Sequence, residues 1–96
     1  MTPDQQAIDP PTRIQRTSDL GVLVRARRRE QSLRIDDAAA LSGVSVDLLS
    51  RLENGKGSVR FDKLLAVLDG LGLALLAGPK EHPALQPPPV RTTERS

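Results

Sequence analysis

LRIDDAAALSGVSVDLLSRLENGK, residues 33–56, is the stretch whose reading decides the fold. Its apolar and small residues recur at helical spacing on either side of Gly43, which predicts two short helices meeting at a tight corner. Gly43 can take a positive φ, Val44 can plug the core beneath the corner, and Ser45 can cap the helix that follows. The second helix spans about Val46 to Asn54, points Leu49 and Leu52 inward, and leaves Val46, Asp47, Ser50 and Arg51 outside. Asn54 and Gly55 form its exit turn.

This is the grammar of a helix-turn-helix, whose second helix enters a DNA groove. Working outward, Ser18 is expected to cap a first helix with Asp19 in its first turn, and Leu20, Leu23, Val24 and the stem of Arg27 form its inward stripe. Ala38, Ala39 and Ala40 are small enough for a neighbouring helix to approach closely, so a bulky residue at Ala39 should disrupt the corner. A fourth helix, about Arg60 to Asp69, carries Phe61, Leu64, Leu65 and Leu68 at i, i+3, i+4 and i+7, which marks them as core. Gly70 and Gly72 stop it. Residues 73–77, LALLA, are too short for another helix and read as a short strand. A lone strand is not stable, so pairing with its copy in a second subunit through Leu73, Leu75 and Leu76 is expected, with a loop packed on its own subunit as the alternative.

The stretch from Leu20 to Leu73, and most specifically SRLENGK (residues 50–56) with KLLAVLDGLGL after it, resembles the Cro/C1-type, or XRE-like, helix-turn-helix domains. The strand-like segment after the last helix points within them to HipB-like antitoxins. The resemblance implies an all-α, compact four-helix domain of lambda-repressor type, with the C-terminal strand paired across a homodimer. It also implies that Glu53, a carboxylate at a helix end where the dipole disfavours it, pairs with Arg28. Arg28, Ala39, Gly43 and Glu53 are therefore the expected structural positions.

Composition is consistent with one small domain. Residues 1–17 hold three prolines and residues 79–96 five, with little apolar periodicity, so both are expected to be disordered arms around a domain at 18–78. A domain of about 60 residues buries little apolar surface, and dimerisation would add to it. There is no Cys and a single His, His82, in the Pro-rich tail, so neither a disulfide framework nor a metal site or cofactor is expected. No run approaches a membrane span and no leader is evident, which suggests a cytoplasmic, nucleoid-associated bacterial protein. The triple proline at residues 87–89 reads as a stiff spacer or a polyproline II ligand. Asp36 and Asp37 lie on different faces of a helix and read as first-turn dipole partners, so no paired catalytic carboxylates are seen and an enzyme is not expected.

The net charge is only +2, yet arginines crowd the first third of the chain. Four arginines between positions 25 and 29 cannot all face one way; they read mainly as a solvated face with Arg28 held by Glu53, and alternatively as a DNA-binding stripe. Phosphate contacts are expected from helix N-termini, Lys56, Arg51, Arg34, Arg13 and Arg16. The resemblance puts base reading on Ser45, Val46 and Ser50, with Asp47 and Arg51 beside them. Arg34-Ile35 stands where the family has Thr-Gln, and Val46, Asp47 and Leu48 stand where it has polar or basic residues. Arg34 can replace the glutamine as a phosphate clamp, and Asp47 can accept from a cytosine N4 amine.

Three functions fit this pattern. The first is a dimeric antitoxin that represses its own operon at a near-palindromic operator and, by resemblance, restrains a HipA-like serine/threonine kinase toxin. The second is a free-standing Cro/C1-type repressor or restriction–modification controller. The third is a protein-interaction module that has kept the fold and lost operator reading.

Overall fold

A computed structural model describes residues 11–86, and four α-helices follow in order: α1 (Thr17–Glu30), α2 (Ile35–Ser42), α3 (Val46–Glu53) and α4 (Phe61–Gly70). They fall in one compact unit, Ile14–Leu75. α1 packs on α3, and α2 packs on both α3 and α4. The core between them is built from Leu20, Val24, Ala38, Ala39, Leu49, Leu52, Val67, Leu68 and Leu71, each almost fully buried. Burying each leucine contributes about 1.5–3 kcal/mol, so a core this small depends on nearly every member.

α1 begins one residue ahead of Ser18, which is not its cap. The Asp19 carboxylate instead reaches back to accept from the backbone N–H groups of Arg16 and Gln15, at 3.1 and 2.9 Å. That places an anion at the positive end of the helix dipole and satisfies two otherwise free donors.

At the corner, Gly43 has φ +70°, and the Val44 N–H returns to the Ala39 carbonyl at 3.0 Å. This left-handed closure satisfies the last carbonyls of α2, and the absence of a Cβ makes it inexpensive. Ser45 then accepts from the Leu48 N–H at 3.0 Å and starts α3. Ala38 and Ala39 are buried under the corner, while Ala40 faces out.

α4 is turned differently from its sequence pattern. Phe61 and Leu65, expected in the core, are 60% and 41% exposed, and the buried stripe is Leu64, Val67, Leu68 and Leu71. The helix carries two overlapping apolar stripes, and close approach to α2 selects between them. A Cβ on Gly70 would lie 2.6 Å from Ser42 Oγ, so Gly70, the last residue of the helix, is also its contact point with α2. Reversal comes two residues later at Gly72, with the Leu73 N–H bonded to the Leu68 carbonyl at 2.7 Å.

Residues 73–77 form no strand in the single chain. The expected strand is corrected on this point: a strand is defined by a partner's hydrogen bonds, and no described segment of the same chain supplies them. Leu73 is half-buried on its own subunit's core, whereas Leu75 and Leu76 are exposed. In the tail, Pro83–Leu85 makes one 3-10 turn capped by His82, whose Nδ1 accepts from the Ala84 N–H at 3.1 Å. The arm at residues 1–10 and the tail at residues 87–96, with its triple proline, lie outside the described residues.

A second glycine contact, between α1 and α3, is just as tight. A Cβ on Gly21 would strike the Leu52 carbonyl oxygen and come within 2.8 Å of that of Glu53, and backbone atoms cannot swing aside as a flexible side chain can. Gly21→Ala should therefore lower stability by about 1–3 kcal/mol despite its better helix propensity. Urea denaturation would read this as a lower midpoint at unchanged slope.

Candidate nucleic-acid interface

α3 divides its residues cleanly. Leu49, Leu52 and Glu53 are buried, while Val46, Asp47, Ser50, Arg51 and Asn54 follow one another along the opposite face. Val46 is 44% exposed. Leu48 and Ile35 have structural duties, since both pack against the core. The departures from the expected family pattern that remain at the surface of α3 are therefore Val46 and Asp47.

The far end of α3 is anchored from below. The Glu53 side chain is 1% exposed and receives Arg28 through two hydrogen bonds, Nε to Oε2 at 2.6 Å and Nη2 to Oε1 at 2.9 Å. Arg28 also donates to the Leu33 carbonyl at 3.0 Å, which ties the loop before α2 to the same point. Arg25 adds a third contact to Glu53 at 3.3 Å and donates to Asn54 Oδ1 at 2.9 Å. Asn54 in turn donates to the Ser50 carbonyl at 2.8 Å.

Burial alone would raise the Glu53 carboxyl, but the hydrogen bonds and charge of Arg28, helped by Arg25, outweigh it and hold the group below the usual carboxylate range. The hydrogen bond to Glu53 likewise raises Arg28.

The arginine cluster on α1 is thus neither a mostly solvated face nor a continuous DNA-facing stripe. Arg25 and Arg28 hold Glu53, and Arg27 donates to the Leu71 carbonyl at the end of α4 at 2.8 Å, beside Gln31 at 3.0 Å. Only Arg29 of the four has no side-chain partner among the described residues. Sequence reading missed Arg25, Arg27 and Gln31 because their partners lie 28 to 44 residues away.

Among the expected phosphate contacts, Arg13, Arg16, Arg34 and Lys56 are all exposed. The Arg34 side chain is 82% exposed and lies 3.3 Å from Asp36, an ion pair too open to restrain it. Lys56 sits in the exit loop of α3, where its N–H bonds to the Arg51 carbonyl at 2.9 Å. Arg51 is less free: its Nε donates to Asp47 Oδ2 at 3.2 Å and its Nη1 to the Ser58 carbonyl at 3.3 Å. Ser45 has its hydroxyl engaged as the cap of α3, so its part at the interface is mainly to set the helix start.

A family model described as a helix-turn-helix domain matches residues 19–77, the span of these four helices and the segment after them. The chain belongs to the XRE-like helix-turn-helix family. The HTH-type transcriptional regulator y4mF of Sinorhizobium fredii is 41% identical over 63 residues, covering 66% of this chain and 83% of that protein. An HTH_3 family transcriptional regulator from Vibrio cholerae superposes with a TM-score of 0.56 at 28% identity over 60% of this chain. This chain spans only 33% of that regulator's length. A chain of the HipA–HipB–O2–O3 complex superposes with a TM-score of 0.65 over 72% of this chain and 97% of its own, at 16% identity, a likeness of fold alone. None of the described helices is long and apolar enough to cross a membrane.

In this helix-turn-helix, Glu53 supplies a pH signature. Its carboxyl titrates lower in the folded than in the unfolded chain, so its contribution is complete above the usual glutamate range and is lost as pH falls below that range and through the lower folded value. Arg28→Ala, which leaves the buried carboxylate with only the 3.3 Å contact of Arg25, should cost about 3 kcal/mol at pH 7. Glu53→Gln should also be destabilising at pH 7, with its deficit shrinking as the pH is lowered toward 3. Urea denaturation at a series of pH values checks both.

Proposed function

We propose that this protein is a dimeric transcriptional repressor that reads a near-palindromic DNA operator with α3. The carrying observation is the division of α3 into a fully buried face and an exposed face of Val46, Asp47, Ser50 and Arg51, on a helix whose first turn is capped by Ser45. Family membership supports the same reading, as does the printed description of the Sinorhizobium relative as a transcriptional regulator. Arg34 and Lys56, exposed at the start of α2 and the exit of α3, supply phosphate contacts, joined by Arg13 and Arg16. In a two-fold dimer the two copies of α3 would lie about 34 Å apart, one turn of duplex.

Pairing through residues 73–77 is the dimer contact we favour. Leu75 and Leu76 are exposed in the single chain, and the backbone there bonds to no strand. Leu73, half-buried in its own subunit, would brace that contact from below. Leu75→Asp should shift the protein toward monomer, because paired strands would have to bury opposed carboxylates. Light scattering that shows an unchanged mass would remove this contact from the proposal.

The finer reading is a HipB-like antitoxin, which binds its own operator and restrains a HipA-like kinase. It is motivated by the apolar segment at residues 73–77 after the last helix and by a likeness of fold to a chain of the HipA–HipB–O2–O3 complex, 97% of which is covered. Co-purification with the product of an adjacent kinase gene would support it, and the absence of such a gene would leave the free-standing repressor.

The central experiment is a gel-shift titration against the protein's own upstream region, with scrambled duplex as competitor at two salt concentrations. The expected result is selective binding that weakens with salt but keeps its preference. Equal, salt-labile binding to both duplexes would instead favour the interaction module.

A further inference from the structure

Asp47 is a carboxylate on the face of α3 that would meet DNA, and as an isolated charge it would repel the backbone. It is not isolated. Its Oδ2 accepts from Arg51 Nε at 3.2 Å, one helical turn on, and the Ser58 carbonyl accepts from Arg51 Nη1 at 3.3 Å. The guanidinium is therefore oriented from two sides, by its own helix and by the loop that leaves it. That loop is itself closed by the bond from the Lys56 N–H to the Arg51 carbonyl at 2.9 Å. Even so, the Arg51 side chain is 42% exposed and that of Asp47 84%, so both heads remain reachable. Nη2 of Arg51 and Oδ1 of Asp47 have no partner among the described residues.

A planar guanidinium oriented along the helix face by two partners suits a base edge better than a phosphate. Phosphate can be met from many directions by a flexible cation, and the exposed Lys56 supplies one, as does Arg34, whose side chain is 82% exposed beside Asp36. Guanine O6 and N7 demand a donor fork in a set plane, and an arginine already held in place loses little freedom on meeting them. A carboxylate beside that fork also penalises a phosphate there, while its free oxygen matches the one donor on the same base-pair edge, the cytosine N4 amine.

We propose that Asp47 and Arg51 act as one reading unit for a G·C pair in each half-site, with Arg51 the specificity-determining residue and Asp47 both positioning it and accepting from the cytosine. The proposal rests on operator binding by α3, as set out above, and changes the part of Arg51 from a phosphate contact to a base reader.

Selection from a pool of randomised duplexes, followed by affinity and salt-slope measurement, tests it on the full chain. The unaltered protein should enrich a G·C pair at one fixed position of each half-site. Arg51→Ala and Asp47→Ala should each lose that preference, with discrimination at the position falling by about tenfold or more. Lys56→Ala should instead weaken all duplexes alike and lower the salt slope by about one. Unchanged thermal melting of the Asp47 and Arg51 variants separates reading from folding, as their solvent-facing positions predict. Two results would overturn the proposal: Arg51→Ala selecting the same sequence as the unaltered protein, or Asp47→Ala tightening every duplex without changing preference. If the unaltered protein selects no sequence at all, operator binding itself fails, an outcome distinct from both.

Discussion

The buried carboxylate of Glu53 is the point on which the rest of this domain depends. It closes the last turn of α3 and takes both its hydrogen-bonding edges from Arg28, with Arg25 alongside. Arg28 simultaneously holds the carbonyl of Leu33, the residue just ahead of α2. One guanidinium thus links α1, the loop into α2 and the end of α3, so the two arms of the helix-turn-helix are referred to a common support. A hydrophobic replacement could fill the same volume but would not fix the register between these elements, since apolar packing is not directional.

The same support explains why a domain of this size can hold an exposed helix steady. Apolar burial is thin: among the described residues, nine hydrophobic side chains are buried. The remainder of the restraint is local and backbone-directed: the left-handed closure at Gly43, the Ser45 cap, the Asp19 carboxylate at the start of α1, and the close contact of Gly21 with the end of α3. Each fixes direction more than it adds area.

What could be read from the sequence followed the range of the forces involved. The corner at residues 43–45 was legible because its chemistry is complete within three residues, and the inward placing of Leu49 and Leu52 followed from spacing alone. The Arg28–Glu53 pair was suggested only through the family resemblance. α4 was misread because seven of its ten residues are apolar or small, and periodicity cannot say which of two stripes is covered; the approach of Gly70 to Ser42 decides that. Arg25 and Arg27 looked like surface charge because their partners, Glu53 and the Leu71 carbonyl, are brought near only by folding. At the candidate interface, exposure of Val46 and Asp47 could be foreseen, and Asp47 and Arg51 stand one helical turn apart, but the second contact of Arg51, to the Ser58 carbonyl, required the path of the exit loop.

The carbonyl of Leu71 has a wider bearing. Arg27 and Gln31 both donate to it, so the end of α4 is lashed to the C-terminal part of the helix that also supports α3. The chain leaving α4 therefore starts from a point held on α1 and turns at Gly72. For any two-fold pairing through the residues that immediately follow, the separation and tilt of the two recognition helices are inherited from that frame. In the dimer proposed above, the opening between the two copies of α3 would then be set by this frame, and a duplex of another gauge would have to bend or twist, at a cost that depends on its sequence.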